Sequence, residues 1–387
     1  MKNEETVFAE KPRFEILDGL RGVAAVLVVA YHLLESYCGG DHTKQILNHG
    51  YLAVDFFFVL SGFVIGYAYD DRWAKGLTTW GFFKRRLVRL HPMVVFGTLL
   101  GAVLFYFGAC EEWKLIADTS LDKLALVALV CCTIIPVGKS MDIRGWVETN
   151  PLNGPVWSLQ WEYLANILYA VFVRRFKTWA LALLVMASAF LTLNLALDWD
   201  AFGVFSVRDY AAYTVIGGWS LTADQLVVGF SRLMYPFFAG VLMSRLKCVI
   251  HVRRGGFALT SGLVALLLAM PYFAPSGAPM ANGIYEAAVV LFAFPLVVAL
   301  GAGSAMPSGS GARLCKFLGE ISYPIYLTHF PFVYMQKAWV MNHPAATAGQ
   351  HVGVCLGVFA LSLFVSYAAL KLYDMPVRAW LGKLGKS

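Results

Sequence analysis

The chain has 387 residues, of which 59% are hydrophobic and 14% are charged, and its formal net charge is +7. About a quarter of the residues of a soluble domain are charged, so this composition excludes an ordinary soluble globule. The basic excess suits anionic lipid headgroups and is poor evidence for a nucleic-acid partner, so we expect contact with membrane lipids and no nucleic acid.

Apolar runs close to the roughly 20 residues that cross a bilayer recur along the whole chain. In chain order, the predicted spans are 15–37, 50–69, 93–109, 156–173, 179–197, 226–246, 256–273, 284–302, 320–340 and 351–373. This pattern predicts an all-α polytopic membrane protein with about ten transmembrane helices. We expect one membrane domain over residues 1–387, with tails at 1–14 and 375–387 in the cytoplasm.

The orientation of the spans follows from the basic residues, because Lys and Arg accumulate in loops on the cytoplasmic side. A cytoplasmic N-terminus places most of the basic residues inside and puts both termini in the cytoplasm. This holds only if the apolar segment 121–138 does not cross the membrane. We therefore predict that 121–138 is re-entrant or is a helix buried at the outer face.

The first predicted span carries three ionisable residues, Asp18, Arg21 and His32. Arg21 and His32 are eleven residues apart, so in a helix they share one face and lie about 16 Å apart along the axis. Asp18 lies one turn before Arg21, and the small residues Gly22 and Ala25 allow another helix or a ligand to approach closely. Ionisable residues in a span usually face an interior or a cavity, which makes them functional candidates. A purely structural alternative is that Asp18 pairs with Arg21 and that His32 is a hydrogen-bonded interior residue.

The predicted loop "FFKRRLVRLHP", residues 82–92, places Arg86 and Arg89 one turn apart, just before Pro92 and the third span. An arginine near a cytoplasmic mouth suits phosphate binding, and a neutral histidine deeper in the bundle can accept a proton. The same basic cluster could equally be a signal that only fixes the topology. The seven cysteines are scattered without metal-ligand spacing, so no metal site is expected.

Taken together and in order, these motifs resemble the membrane acyltransferase-3 family of bacterial O-acetylases. The family signature, an Arg or Lys followed after ten residues by His, matches Arg21 and His32, and an Arg-x-x-Arg pair before a proline matches Arg86 and Arg89. "GYLAVDFFFVLSGFVI" at 50–65 resembles the second span of the family. Three further segments are similar to later family motifs: "GPVWSLQWEYLANILY" at 154–169, with Ser158 and Glu162; "RLMYPFFAGVLMS" at 232–244, with Arg232; and "ISYPIYLTHFPF" at 321–332, with Tyr326 and His329.

The resemblance implies transfer of an acyl group, usually acetyl, from cytosolic acyl-CoA to a hydroxyl of a carbohydrate acceptor, in the bacterial inner membrane. Acetyl-CoA would be the cosubstrate, held by Arg21, Arg86 and Arg89. His32 would deprotonate the acceptor or carry the acyl group covalently, and Glu162 would orient His32 or bind sugar hydroxyls. The expected substrate contacts are Asp18, Ser158, Arg232, Tyr326 and His329.

A different class of function is compatible with the same residues. A proton-coupled transporter of a small polar or sugar-like solute would also place Asp, Arg, His and Glu inside a helical bundle. We therefore retain transport as the alternative to acyl transfer.

Overall fold

The computed structural model describes residues 11, 13–208, 211–274 and 278–384. Within them the chain is helical and forms no β-strand, apart from a single bridge between Val252 and Ser304. The helices are α1 (Glu15–Glu35), α2 (Ala53–Ala74), α3 (Thr79–Val103), α4 (Lys114–Asp118), α5 (Leu121–Cys132), α6 (Val156–Val171), α7 (Thr178–Ala196), α8 (Ala223–Arg245), α9 (Gly256–Ala269), α10 (Ala281–Ala288), α11 (Phe294–Ala302), α12 (Gly309–Thr328), α13 (Phe330–Asn342), α14 (Ala348–Ala369) and α15 (Met375–Leu384). The all-α class is confirmed.

Seven helical segments among the described residues are long and apolar enough to cross a membrane. They are Glu15–Glu35, Gly50–Ala74, Thr79–Val103, Thr178–Ala196, Ala223–Arg245, Ala281–Ala302 and Ala348–Lys383. The structure therefore supports a polytopic membrane protein, whereas the count of about ten spans and the cytoplasmic termini stay predictions.

Three of the predicted spans are absent from that set, for two physical reasons. Over 156–173 and 256–273 the helices α6 and α9 have only 16 and 14 residues. Such helices are roughly 24 and 21 Å long, shorter than a hydrocarbon core of about 30 Å. Over 320–340 the chain forms two helices, α12 and α13, that meet at His329.

The break at His329 is explained by Pro331, which occupies the first turn of α13. Proline has no N–H to donate to the carbonyl four residues earlier, so the carbonyl of Leu327 loses its helical partner. The side-chain amide of Asn153 donates to that carbonyl instead, at 2.7 Å. The loop before α6 is thereby attached to the junction of α12 and α13.

Two other predicted segments can be compared directly with the structure. Helix α5, within 121–138, has 12 residues and is roughly 18 Å long, shorter than a hydrocarbon core of about 30 Å, and the re-entrant or outer-face placement of the segment stays a prediction. The prediction that 82–92 is a loop is wrong, because these residues lie within α3, which continues through Pro92.

The structure describes only part of each predicted tail. Of 1–14, only residues 11, 13 and 14 are among the described residues. At the other end, α15 follows α14 through a π-helical turn, Leu370–Asp374, so most of 375–384 is helical, and residues 385–387 lie outside the described part.

Close backbone approach between helices positions the polar stripe of α1. A β-carbon at Gly22 would clash with the backbone carbonyl of Leu318 in α12, so the small residue allows the two helices to touch, as predicted. Helices α2 and α8 pack in the same manner, with Gly62 against the carbonyl of Phe237 and Gly240 against that of Val59. These contacts place α1 and α2 inside the bundle.

Candidate active site

His32 lies in the last turn of α1 and pairs with a carboxylate of the same helix. Its Nδ1 is 3.1 Å from Oε2 of Glu35, three residues further on. Residues three apart face each other on a helix, so the pairing is set locally. An ionised carboxylate only accepts hydrogen bonds, so Nδ1 carries the proton and Nε2 keeps its lone pair. The side chain of His32 is 20% exposed, so this nitrogen can act as a base.

A second imidazole lies beside the first. The rings of His32 and His329 are stacked with centroids 5.5 Å apart and planes inclined by 26°. His329 is fully buried, and its Nδ1 donates to the carbonyl of Ile325 at 2.9 Å. Its Nε2 has no hydrogen-bond partner among the residues that the structure describes. The helix break caused by Pro331 therefore brings an unsatisfied imidazole nitrogen to His32.

Tyr326 and Ser158 extend this cluster toward α6. The hydroxyl groups of the two residues are 2.7 Å apart, and Ser158 donates to the carbonyl of Pro155 at 2.9 Å. The ring of Tyr326 lies 6.1 Å from that of His329. The structure thus brings together His32, Ser158 and the Tyr326–His329 segment, which lie in three separate parts of the chain.

Glu162 is paired with an arginine of α3. Its Oε1 accepts hydrogen bonds from Arg86 Nη2 at 2.7 Å and from Ser61 Oγ at 2.8 Å. The carboxylate that pairs with His32 is Glu35. Ser61 lies near the middle of α2, and the role predicted for Glu162 stays a prediction.

The basic residues that were expected to hold the donor lie close to one another. The charges of Arg86 and Arg21 repel that of Arg89. Arg21 is paired with Asp18 at 2.7 Å, as in the structural alternative, and Arg86 is paired with Glu162. Arg89 is exposed and makes no hydrogen bond or ion pair within the described part of the chain. Its guanidinium is the free donor of this group.

Arg232 is held by the protein itself. It is 2% exposed, and its guanidinium donates to Asp55 and to the carbonyl groups of Tyr51 and Gly217, the shortest of these bonds being 2.7 Å. Each of its three nitrogens therefore has a protein partner. The substrate contact predicted for Arg232 stays a prediction.

Two ionisable residues beside His32 had not been singled out from the sequence. Glu35 stands three residues after His32 within a predicted span, a spacing that could have indicated it. Lys337 contacts Glu35 at 3.3 Å from another predicted span, and its charge in an apolar run was the available signal. Among the described residues, no group of three or more His, Cys, Asp or Glu side chains is placed to hold a metal ion.

A buried carboxyl of the loop before α6 gives a prediction about pH. Glu148 accepts a hydrogen bond from Tyr334 at 2.7 Å, and burial raises its pKa from the ordinary 4.5 to about 7. The folded protein then binds this proton more tightly than the unfolded chain, so the free energy of unfolding falls as pH rises from 4.5 to 7. The loss amounts to about 3 kcal/mol if the whole shift is realised.

We expect Glu148→Gln, which mimics the protonated form, to raise the melting temperature at pH 8 and to leave it nearly unchanged near pH 4.5. Thermal unfolding of both proteins across this pH range measures the difference. Glu111→Gln, at an exposed site, is the control. A constant difference between wild type and Glu148→Gln would contradict the raised pKa.

Comparison with known proteins gives a consistent result. The family model described as "Acyltransferase domain" matches residues 14–370. "Protein 2 in picA locus" of Rhizobium radiobacter is 36% identical over 168 residues, which is 41% of this chain and 81% of that protein. "O-acetyltransferase OatA" of Staphylococcus aureus is 24% identical over 337 residues, 84% of this chain and 51% of that protein.

"Peptidoglycan O-acetyltransferase OatA" of Listeria monocytogenes is 24% identical over 336 residues, which is 82% of this chain and 49% of that protein. The chain thus spans about half the length of both OatA relatives. No solved structure matches it.

Proposed function

This chain belongs to the membrane acyltransferase-3 family, and from that premise we propose that it transfers an acetyl group from acetyl-CoA to a hydroxyl group of a carbohydrate. The observation that carries the proposal is the pairing of His32 with Glu35 on a helix whose other half bears Arg21. The base, His32, and the anion site at Arg21 are then about 16 Å apart along the axis of α1.

The donor would bind at the basic residues. Coenzyme A carries several phosphate charges, and Arg89 has its hydrogen-bond donors free for them, with Arg86 and Arg21 adding positive charge. The thioester arm would extend along α1 toward His32. Asp18 fixes Arg21 and so contributes indirectly.

The acceptor would bind on the other side of His32. The hydroxyl groups of Ser158 and Tyr326 and the free Nε2 of His329 are suited to sugar hydroxyls, which both donate and accept hydrogen bonds. Glu162 is held by Arg86 and Ser61 and acts through Arg86. We assign it to positioning the arginine.

In the proposed reaction, Nε2 of His32 removes the proton from the acceptor hydroxyl while the oxygen attacks the thioester carbonyl. The C–S bond breaks, and the coenzyme A thiolate takes the proton from His32, so the products are an acetyl ester and free coenzyme A. The alternative route, in which Nε2 first carries the acetyl group, uses the same nitrogen. Incubation without acceptor distinguishes the two, because only the second route labels the protein.

The two OatA relatives carry O-acetyltransferase in their names, and one of these names specifies peptidoglycan. A cell-surface polysaccharide or its lipid-linked precursor is accordingly the acceptor class we propose, with the bacterial inner membrane as the location and both termini in the cytoplasm. Family membership does not favour the transporter alternative.

The test uses purified protein in sealed vesicles, with radiolabelled acetyl-CoA on one side and candidate glycans, including peptidoglycan fragments, on the other. We expect label in the glycan that mild alkali releases as acetate, and none with His32→Ala. Transport of an unmodified glycan without acetylation would support the alternative instead.

A further inference from the structure

Glu35 contacts two cationic or potentially cationic side chains through one oxygen. Its Oε2 is 3.1 Å from His32 Nδ1 and 3.3 Å from Lys337 Nζ. The Lys337 side chain is 12% exposed and that of Glu35 is 21% exposed, so solvent screens these charges only partly. Lys337 and His32 therefore compete for the same negative charge.

Lys337 is held in place by the loop before α6 and by α1. Its Nζ lies 4.8 Å from the centre of the Trp146 ring, which packs edge-on against Trp113 with centroids 4.8 Å apart. The neighbouring Gln336 donates to the carbonyl of Leu33 in α1 at 3.2 Å. An aromatic face attracts an ammonium group, so the Trp146 ring helps to hold the lysine beside Glu35.

We propose that Lys337 is a positioning residue that, acting through Glu35, keeps His32 neutral and therefore basic under working conditions. An ammonium group beside Glu35 offsets part of the negative charge that would otherwise stabilise the imidazolium. Glu35 can still accept the hydrogen bond that fixes the tautomer of His32. The inference rests on the proposed function, because it assigns His32 as the base.

Other ionisable groups also act on this pair from the elements packed around it. Glu35 interacts electrostatically with Tyr31 and Cys38 of its own helix region and with His42 of the following loop. His329 faces His32 across the stacked rings, and Glu148 faces Lys337 from the loop before α6. None of these is a fixed cation in direct contact with Glu35, which is the property that distinguishes Lys337.

The experiment compares the pH dependence of acetyl transfer in variants of the full-length protein. A charge about 4–6 Å away moves the titration of an ionisable group by about one pH unit or more, and Lys337 and His32 contact the same oxygen of Glu35. We expect Lys337→Met and Lys337→Gln to move the acid limb of the pH–rate profile about one unit to higher pH. Lys337→Arg should restore the wild-type position, and Glu35→Gln should move the limb in the opposite direction.

A matched control is Lys371→Met, which breaks another Lys–Glu pair, that of Lys371 with Glu320 at 2.9 Å. It should leave the acid limb unchanged. A purely structural role for Lys337 would lower the rate or the melting temperature without moving the limb. That outcome, or movement of the limb to lower pH, would overturn the inference.

A second readout does not require transfer. Diethyl pyrocarbonate modifies a histidine only in its neutral form, so the rate of modification at the His32 side chain, located by mass spectrometry and followed from pH 5 to 8, reports the neutral fraction. Lys337→Met should shift this curve to higher pH by the same amount as the rate profile. If wild-type protein acetylates no glycan, the proposed function fails; an unshifted modification curve with active wild type defeats the inference alone.

Discussion

His32→Ala is expected to lower the rate of acetyl transfer by about 10²- to 10⁴-fold, the range by which a positioned general base accelerates a reaction. A covalent relay through Nε2 predicts a loss at least as large. The measurement is the initial rate with saturating acetyl-CoA and glycan. Only 20% of the His32 side chain is exposed, and its ring packs edge-on against Phe330, so its removal should lower the melting temperature, whereas membrane insertion should stay close to wild type.

The control for this prediction is His343→Ala. His343 is an exposed histidine at the end of α13 whose Nδ1 bonds to the carbonyl of Trp339, so its imidazole is fixed but remote from the cluster around His32. It should retain wild-type activity. Wild-type turnover by His32→Ala would exclude His32 as base or relay and would shift attention to the unpartnered Nε2 of His329.

The sequence predicted those parts of the site in which the relative positions of the residues depend on a single helix. The alignment of Arg21 and His32 depends only on the helical period, and α1 extends without interruption from Glu15 to Glu35. The same holds for Arg86 and Arg89, although the segment was expected to be a loop. The basic residues between two apolar runs favoured a loop. In the structure they lie in α3, which begins at Thr79, and Arg86 is buried against Glu162.

The identity of the carboxylate beside His32 could not be decided in that way. Glu35 is one turn from His32, but Glu162 stood in a more specific motif, and the sequence contains no measure of the distance between α1 and α6. Tertiary packing assigns Glu162 to Arg86 and leaves Glu35 to His32. The contact of Lys337 depends likewise on how α13 packs against α1.

Some predicted spans and the corresponding helices end at different residues for a related reason. Hydropathy continues past the residue at which a helix ends, as in 256–273, where α9 ends at Ala269. Met270 precedes Pro271 and adopts an extended backbone, with ψ at 135°, because proline disfavours the helical conformation of the preceding residue. Pro331 separates α12 from α13 because it has no N–H for the carbonyl of Leu327, and only the structure shows that Asn153 compensates for the lost bond.

Arg86→Gln and Arg89→Gln are expected to have different effects, although the two residues belong to one motif. The Arg86 side chain is 9% exposed and that of Glu162 is 19% exposed, with 2.7 Å between them. Removal of one partner leaves a buried charge unpaired and costs about 3–5 kcal/mol in the free energy of unfolding. Arg86→Gln should therefore lower the melting temperature and abolish transfer together.

Arg89→Gln should leave the melting temperature unchanged, because Arg89 is exposed and makes no ion pair among the described residues. Loss of a charged hydrogen bond to phosphate weakens binding by about 1–3 kcal/mol. We expect the affinity for acetyl-CoA to fall accordingly, with little change in the affinity for glycan. Equilibrium binding of acetyl-CoA and thermal unfolding, measured on the same preparations, separate the two effects.

The double variant Arg86→Gln/Glu162→Gln decides whether Arg86 is only structural. Two neutral side chains in place of the ion pair remove the unpaired buried charge, so most of the lost stability should return. If Arg86 also contributes positive charge to the donor site, acetyl-CoA binding should remain weak in the double variant although its stability has returned. Recovery of binding together with stability would mean that Arg86 serves the fold alone and that Arg89 and Arg21 hold the donor.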